Sequence, residues 1–255
     1  MGVAAKLASI GGRPAGADPD FPATSPSMLG ILMLQTRFPR PPGDIGHPAS
    51  FAFPVRRRIV EGAAPLRVVR GPADDEALFQ AFVAAGWQLA GEGAVALSTS
   101  CGFLARWQRR LEQALPVPVW SSALLKLPEL APLRCGVITI EAASLTPAHF
   151  EAVGADPATP VEGISPGSPL HRTLLEDRPE LDQVDACAQV LAAGRRLLAR
   201  EPGLQALVLE CTNLPPYAAA LRQATGLPVH DIVSLLHERM AGLTAGSPAS
   251  AGGLQ

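Results

Sequence analysis

The sequence predicts an α/β fold in which helices cover both faces of a parallel sheet. Short apolar runs alternate along the chain with amphipathic helical stretches, which is the pattern of repeated strand–helix units. The apolar runs are nearly continuous rather than alternating, as expected for strands that are buried on both faces. With 255 residues, the chain is long enough for one large domain or for two small α/β lobes that share a core.

Each element follows from a local pattern. The predicted strands are Leu29–Leu34, Ala94–Ser98, Val117–Trp120, Gly136–Ile140, Ala206–Glu210 and Pro228–Ile232, with Leu66–Arg70 as a weaker candidate. The predicted helices are Asp74–Ala90, Phe103–Ala114, Ser121–Leu130, Gln183–Arg200 and Pro215–Thr225. The Pro-rich stretch 156–179 is expected to be a loop, either a lid over the substrate or a plain surface connection.

The two ends of the chain differ from the rest in composition. Residues 1–27 and 244–255 are rich in small residues and proline and lack apolar periodicity, so we expect both to be disordered. The first segment lacks the apolar region of a secretory signal, and no apolar run approaches the roughly 20 residues of a membrane span. We therefore expect a cytoplasmic protein that is not bound to a membrane.

The charge and cysteine content exclude several classes of function. A net charge of −2 provides no basic surface for nucleic acid. Without an export signal, the four cysteines are expected to be reduced thiols. They form no CxxC pair, and the five histidines are not spaced with them as zinc ligands, so no metal site is predicted.

Two segments of the sequence resemble each other. Residues 94–104 read AVALSTSCGFL and residues 207–214 read LVLECTNL, so each passes from an apolar strand through a cysteine into small polar residues and then a helix. Ligands of α/β sheets bind at this carboxyl edge, and free N–H groups at a helix start bind anions and lower the pKa of a thiol from about 8.5. The repeated pattern predicts two half-sites that face one cleft, with Cys101 in one and Cys211 in the other.

A free cysteine is more often a buried core residue than a reactive one. That interpretation suits Cys135, which opens a strand in an apolar run, and Cys187, which lies in an amphipathic helix. It suits Cys101 and Cys211 poorly, because their neighbours are Ser, Thr and Asn.

The segments STSCGFL and LECTNLPPY resemble the paired cysteine motifs of the aspartate/glutamate/hydantoin racemase superfamily, and Cys211-Thr212 is the best-matching pair. The opening LGILMLQTRFPRPPGDIGHPASFAFPV is similar to an uncharacterised branch of that superfamily, and the resemblance extends roughly from Leu29 to Met240. It implies two similar α/β lobes with the active site in the cleft between them. The implied lobes are residues 28–120 plus 228–243, and residues 121–227.

The resemblance also implies the chemistry. One thiolate removes the α-proton of a small carboxylate and the other thiol protonates the opposite face, because a single base would return the proton to its own face. The implied enzyme is a cofactor-independent racemase or epimerase with Cys101 and Cys211 as its acid/base pair. The residues expected to bind the substrate are Thr99, Ser100, Gly102, Thr212 and Asn213, at the carboxylate next to the reacting carbon, and Arg37, as a clamp for a second carboxylate.

Departures from the motifs of glutamate racemases do not favour glutamate or aspartate as the substrate. The first strand is followed by Gln35-Thr36-Arg37 instead of an Asp-Ser turn, and Asn213 replaces an acidic residue or histidine. Asp44 is expected either to stabilise its Pro/Gly loop or to contact the substrate, and His47 and His149 are weaker pocket candidates.

Three alternatives remain open at this point. The same scaffold suits a cis-trans isomerase or a decarboxylase of a small diacid, and a two-lobed α/β protein also suits non-catalytic binding of a small molecule. Neither of the two lysines, Lys6 and Lys126, lies near a cysteine turn, so no pyridoxal phosphate or other cofactor is expected. The expected partners are a small carboxylate and, in a homodimer, a second copy of the chain.

Overall fold

A computed structural model describes residues 27–245 of the protein. Most of the two segments predicted to be disordered lies outside the described residues. The last two described residues belong to a helix, which extends into the predicted tail as far as Ala245. None of the helices within the described range is long and apolar enough to cross a membrane.

Two four-stranded parallel sheets form the centres of two lobes, which confirms the predicted fold class. The first sheet has the spatial order β2-β1-β3-β4, with β1 at Met28–Met33, β2 at Val55–Ile59, β3 at Ala94–Thr99 and β4 at Val119–Trp120. The second sheet has the order β6-β5-β7-β8, with β5 at Cys135–Thr139, β6 at Val161–Gly163, β7 at Ala206–Leu209 and β8 at Val229–His230. All pairings in both sheets are parallel.

Helices flank both sheets. The α-helices are α1 (Pro65–Arg70), α2 (Glu76–Gly91), α3 (Gln108–Ala114), α4 (Pro147–Ala152), α5 (Pro169–Leu175), α6 (Gln183–Arg200), α7 (Ala218–Thr225) and α8 (Ile232–Ala245). Short 3-10 turns occupy Pro48–Ser50, Gly102–Trp107, Ala123–Lys126, Pro128–Leu130, Ala142–Ser144 and Pro215–Tyr217.

Local chemistry fixes where the helices begin and end. Asp75 caps α2 by accepting a hydrogen bond from the Leu78 N–H at 3.0 Å, and Asp182 caps α6 in the same way. Gly226 ends α7 in the left-handed conformation, with φ of 70°, which glycine adopts without a steric penalty. These ends hold the strands that follow in register and so fix the positions of their carboxyl ends.

Several predicted elements are wrong. The weak strand candidate Leu66–Arg70 is helix α1, because Pro65 occupies the first helical position, where its missing N–H costs nothing. The predicted helix Phe103–Ala114 begins as a 3-10 turn and becomes an α-helix only at Gln108. The predicted helix Ser121–Leu130 consists of two 3-10 turns. The stretch 156–179 contains β6 and α5 rather than loop alone.

The carboxyl end of the chain also differs from the prediction. We expected Pro228–Ile232 to be a strand of the first lobe, but β8 is only two residues long and pairs with β7 in the second sheet. The short helix α7 connects β7 to β8 and brings β8 alongside β7, as a parallel strand–helix–strand unit requires. Helix α8 then reaches the first lobe, where His237 Nε2 donates to the Ser50 carbonyl at 3.0 Å and the ring stacks on Phe51.

Candidate active site

The first cysteine turn follows strand β3 in the first lobe. Cys101 has extended backbone angles and precedes the 3-10 turn Gly102–Trp107. The Ser100 N–H donates to the Leu32 carbonyl at 2.9 Å, and the Ser100 Oγ accepts from the Leu34 N–H at 2.8 Å. The turn is therefore tied to the neighbouring strand on both sides of Ser100.

The second cysteine turn follows strand β7 in the second lobe. The Glu210 N–H donates to the Ile138 carbonyl at 2.9 Å, and the chain turns at Cys211. The Thr212 hydroxyl donates to the Ser100 carbonyl at 2.7 Å. Because Ser100 belongs to the first lobe, this buried bond joins the two cysteine turns directly.

Both cysteines line one small cavity between the lobes. The residues around it are Leu34, Phe38, Pro65, Val69, Ser100, Cys101, Gly102, Phe103, Ile140, Leu174, Leu175, Cys211, Thr212 and Asn213. Its volume is about 20 Å³, which is enough for one or two water molecules at roughly 10–15 Å³ each. A larger ligand therefore requires the lining side chains to move apart.

Asp44 orients one wall of this cavity. Its buried Oδ2 accepts from Asn213 Nδ2 at 2.7 Å, and its Oδ1 accepts from Arg40 Nη1 at 2.8 Å and from the Gly46 N–H at 2.7 Å. The Asn213 Oδ1 in turn lies 3.7 Å from the Cys211 Sγ. Asp44 thus both stabilises its loop and holds Asn213, but it does not line the cavity itself.

Glu210 is a functional candidate that the sequence analysis missed. Its carboxyl is fully buried, and Oε2 accepts from the Thr139 hydroxyl at 2.6 Å. Within the described residues, Oε1 has no hydrogen-bond partner. A Cβ added to Gly102 would lie 2.4 Å from this oxygen, so the carboxyl packs against the backbone beside Cys101. The signal was a glutamate closing an apolar strand, where charged residues are rarely buried.

The pKa values of the two thiols differ from the sequence-based expectation. Burial, followed by the Glu210 carboxylate, raises the pKa of Cys101 to about 12 and that of Cys211 well above its usual 9.0. The N–H groups of Phe103 and Asn213 do lower these values, as expected at a helix start, but burial is the larger effect. The expectation of lowered thiol pKa values was therefore wrong.

The other residues singled out from the sequence lie at varying distances from the cavity. Ser100, Gly102, Thr212 and Asn213 line it, and their binding roles stay predictions. Thr99 lies behind it, with its hydroxyl donating to the Ser121 carbonyl at 2.7 Å.

Arg37 is not placed as the carboxylate clamp that we predicted. Its side chain is 74% exposed, and Nε lies 3.1 Å from Asp177 Oδ2. Arg37 lies three residues beyond Leu34, where the buried run ends, so its side chain has access to solvent, and it pairs with the loop after α5 instead of reaching the cavity.

The two histidine candidates also lie outside the lining. His47 caps a 3-10 turn by accepting from the Ala49 N–H. The buried His149 ring packs edge-on against Phe103, and burial lowers its pKa to about 4. Cys135, predicted to be structural, lies at the start of β5, away from this cavity.

Comparisons with known proteins find relatives by sequence and, separately, solved structures with a similar fold. No family model matches the chain. A dimethylsulfoniopropionate lyase of Durusdinium sp. clade D is 29% identical over 241 residues, which cover 86% of this chain and 75% of that protein. Unliganded arylmalonate decarboxylase shares the fold with a TM-score of 0.57 and 14% identity, over 89% of this chain and 96% of that one. Allantoin racemase from Klebsiella pneumoniae has a TM-score of 0.56 and 14% identity, over 86% of this chain and 88% of that one. These structures confirm the two-lobed fold implied by the paired cysteine segments.

Proposed function

Because the chain has the fold of the aspartate/glutamate/hydantoin racemase superfamily and two thiols in one cavity, we propose that it is an enzyme that removes the proton next to a carboxylate. Among reactions that begin this way, we infer β-elimination, with dimethylsulfoniopropionate or a similar sulfonium carboxylate as the substrate. Relatives named as lyases of that compound support this choice, since they align with more than four-fifths of the chain. The observation that carries it is the composition of the cavity wall.

The wall suits a substrate with an apolar cationic group. Of the described residues that line the cavity, none carries a positive charge, and eight have purely apolar side chains. A dicarboxylate substrate needs a cation for its second carboxylate, and none is offered here. A dimethylsulfonium group instead presents methyl groups and a diffuse charge, which an aromatic ring such as that of Phe103 attracts.

The polar side of the cavity suits the carboxylate. Ser100 contributes a hydroxyl to the wall and Asn213 contributes an amide. The backbone of Gly102 and of Thr212 lines the wall at the start of each turn. Hydrogen-bond donors in a water-excluded site stabilise the negative charge that grows on the carboxylate as the α-proton leaves.

The surrounding charges favour Cys101 as the base. After burial and Glu210, the charges that act on Cys101 are the cations Arg106 and Arg40, which lower its pKa. Those that act on Cys211 beyond burial are Glu210, Cys101 and Asp44, and all of them raise its pKa. A cationic substrate in the cavity lowers the cost of a thiolate further.

The elimination balances with one base. The Cys101 thiolate takes the proton from the carbon next to the carboxylate, and that electron pair forms the carbon–carbon double bond. The bond from the β-carbon to sulfur breaks, and dimethyl sulfide leaves as a neutral molecule beside acrylate. No redox cofactor takes part, because no electron leaves the substrate.

A second candidate, racemisation of a small carboxylate, is favoured by one observation. Both thiols line the same cavity, which is the arrangement that two-sided proton transfer requires. Elimination has no need of a second acid, so the role of Cys211 separates the two candidates.

The test is direct. Purified protein is incubated with dimethylsulfoniopropionate, and dimethyl sulfide is measured in the headspace by gas chromatography. In parallel, chiral amino and hydroxy acids are incubated in deuterated water, and exchange at the α-carbon is followed by NMR. Sulfide release that persists after dialysis against a chelator supports the lyase. Exchange with loss of optical activity, without sulfide release, favours the racemase instead.

A further inference from the structure

The cavity between the two cysteine turns must open before a substrate enters it. Its volume of about 20 Å³ suits one or two water molecules, and even a small carboxylate is several times larger. Part of the wall therefore moves, and the contacts between the lobes indicate which part.

The two cysteine turns form a wall that is firmly joined. The Thr212 hydroxyl donates to the buried Ser100 carbonyl at 2.7 Å, and Asn213 Nδ2 donates to the buried Asp44 carboxylate at 2.7 Å. Both bonds link the second lobe to the first. Buried hydrogen bonds, above all those to a charged acceptor, stabilise a contact more than exposed ion pairs do. We therefore expect the lobes to stay together at the turns.

Another part of the wall is a seam between the lobes. The first lobe contributes Phe38 and helix α1, and the second lobe contributes helix α5. The buried side chains that line the cavity along the seam are Phe38, Pro65, Val69, Leu174 and Leu175. Helix α5 belongs to the stretch 156–179, for which the sequence left open the role of a lid.

Two ionic contacts join the lobes across this seam. Arg70, at the end of α1, pairs with Glu141, whose Oε2 also lies 3.1 Å from His171 Nε2 on α5. Arg37 Nε lies 3.1 Å from Asp177 Oδ2, two residues beyond α5. The two arginine side chains are 52% and 74% exposed, and ion pairs so open to water contribute little to stability. The seam is thus joined by weaker polar contacts than the cysteine turns.

Asp177 makes the most extensive of these contacts. Its Oδ1 accepts from the backbone N–H groups of Arg37 at 2.5 Å and of Phe38 at 3.3 Å. Its φ is 56°, and among residues 27–245 it is the only residue other than glycine with a positive φ. Glycine is the usual residue in this conformation after a helix, so the aspartate introduces strain that its carboxylate contacts offset.

We propose that the seam is the gate through which the substrate enters, and that Asp177 is the latch that holds it shut. When the latch opens, the carboxylate releases both backbone N–H groups and the Arg37 guanidinium to water. Helix α5 then moves away from Phe38 and α1, and the cavity widens where Leu174 and Leu175 meet them. The gate rests on the proposed function only in that the cysteine cavity is the substrate site.

The experiment measures how fast a thiol reagent reaches the two cavity cysteines. Asp177→Gly removes the carboxylate and suits the left-handed backbone, so we expect it to fold. Iodoacetamide labelling at one fixed pH is followed by mass spectrometry of the tryptic peptides 71–106 and 201–222, in which Cys101 and Cys211 are the sole cysteines. We expect both rates to rise about fivefold or more, because each rate is proportional to the fraction of molecules with an open gate.

Two further variants separate the carboxylate from its partners. Arg37→Ala removes the guanidinium but keeps the backbone N–H groups that Asp177 binds, so we expect labelling within about twofold of wild type. Asp177→Asn keeps an oxygen that accepts from those N–H groups but lacks the charge, so its rates should lie between those of wild type and Asp177→Gly.

Cys135 and urea test whether the change is local. Cys135 lies outside the cavity, in peptide 135–172, and should label at the same rate in all four proteins. Low concentrations of urea should leave the faster labelling of Cys101 and Cys211 unchanged, because opening the gate exposes far less surface than unfolding does.

Unchanged labelling of the two cavity cysteines in Asp177→Gly would overturn the gate. An equal rise at Cys135, or a rise that grows steeply with urea, would also overturn it, because either result indicates general loosening of the fold. Arg37→Ala labelling as fast as Asp177→Gly would reject the backbone latch. Faster labelling of Cys101 and Cys211 alone, without turnover of the sulfonium compound or of any amino or hydroxy acid, supports the gate while rejecting the proposed function.

Discussion

The two cysteine turns share the same backbone geometry, and their surroundings differ in the remaining charges. In both, a parallel strand ends, a buried cysteine follows, and a 3-10 turn begins within a few residues. Around Cys101 lie Phe103 and two arginines whose charges favour a thiolate. Glu210 raises the pKa of both thiols, and around Cys211 the charge of Asp44, which holds Asn213, raises it further.

This difference shows that two cysteine turns with the same backbone geometry need not have the same chemical role. A racemase that treats two enantiomers alike needs two thiols that both accept and donate protons. Here burial and Glu210 disfavour the thiolate at both turns, and the remaining charges lower that cost at Cys101 and raise it at Cys211. That asymmetry suits a reaction with a single proton abstraction, which is why elimination is the better match.

The largest expected effect separates the two cysteines. Cys101→Ser should lower sulfide release about 10²–10⁴-fold, the usual contribution of a positioned base, while Cys211→Ser should cost about tenfold. Gas chromatography under saturating substrate measures both. Cys135→Ser is the control, because its thiol lies outside the cavity and should affect only stability. Equal, steep losses in the two site variants would contradict the asymmetry and support the two-base racemase.

The next effect tests the contact between the turns. Gly102→Ala places a methyl group 2.2 Å from the Glu210 carbonyl oxygen, so the turns must separate. We expect at least a tenfold loss of kcat and about 1–3 kcal/mol of stability, as for other overpacked sites. The matched control is Gly91→Ala at the end of α2, where the new methyl group meets nothing within 4 Å. Similar behaviour of the two variants would show that the turns do not touch in solution.

A smaller effect concerns stability against pH. The pKa of Glu210 is raised from 4.5 to about 8 in the folded protein, so the unfolded chain ionises first as pH rises. The free energy of unfolding should therefore fall between about pH 4.5 and pH 8, at up to roughly 1.4 kcal/mol per pH unit. Glu210→Gln removes this loss and should be about 3 kcal/mol more stable than wild type at pH 7. Urea unfolding at several pH values measures the difference, and parallel curves for the two proteins would refute it.

The smallest effect is expected outside both turns. Arg37→Ala should change stability by less than about 1 kcal/mol, since its bridge to Asp177 is largely exposed. Kinetics should also be unchanged, because the side chain does not reach the cavity. A tenfold rise in KM would restore the sequence-based role of Arg37 as a carboxylate clamp.

The sequence predicts what local patterns and spacing control. It identifies the four central strands and the two cysteine turns because apolar runs and flanking polar residues are local signals. It fails for Val55–Ile59, whose VRRRI pattern has too few apolar residues to read as a strand but pairs with the buried β1. It also misses Glu210, because only the packing of Gly102 from the other lobe reveals where that carboxyl lies.

The bond from the Thr212 hydroxyl to the Ser100 carbonyl has a consequence for unfolding. Separating the lobes would break this buried bond and expose to water the apolar residues that line the cavity between them. A buried hydrogen bond contributes about 0.5–1.5 kcal/mol and apolar burial adds to it, so partly opened states are penalised. The two sheets should therefore melt together in a single calorimetric transition, and neither half of the chain should fold by itself.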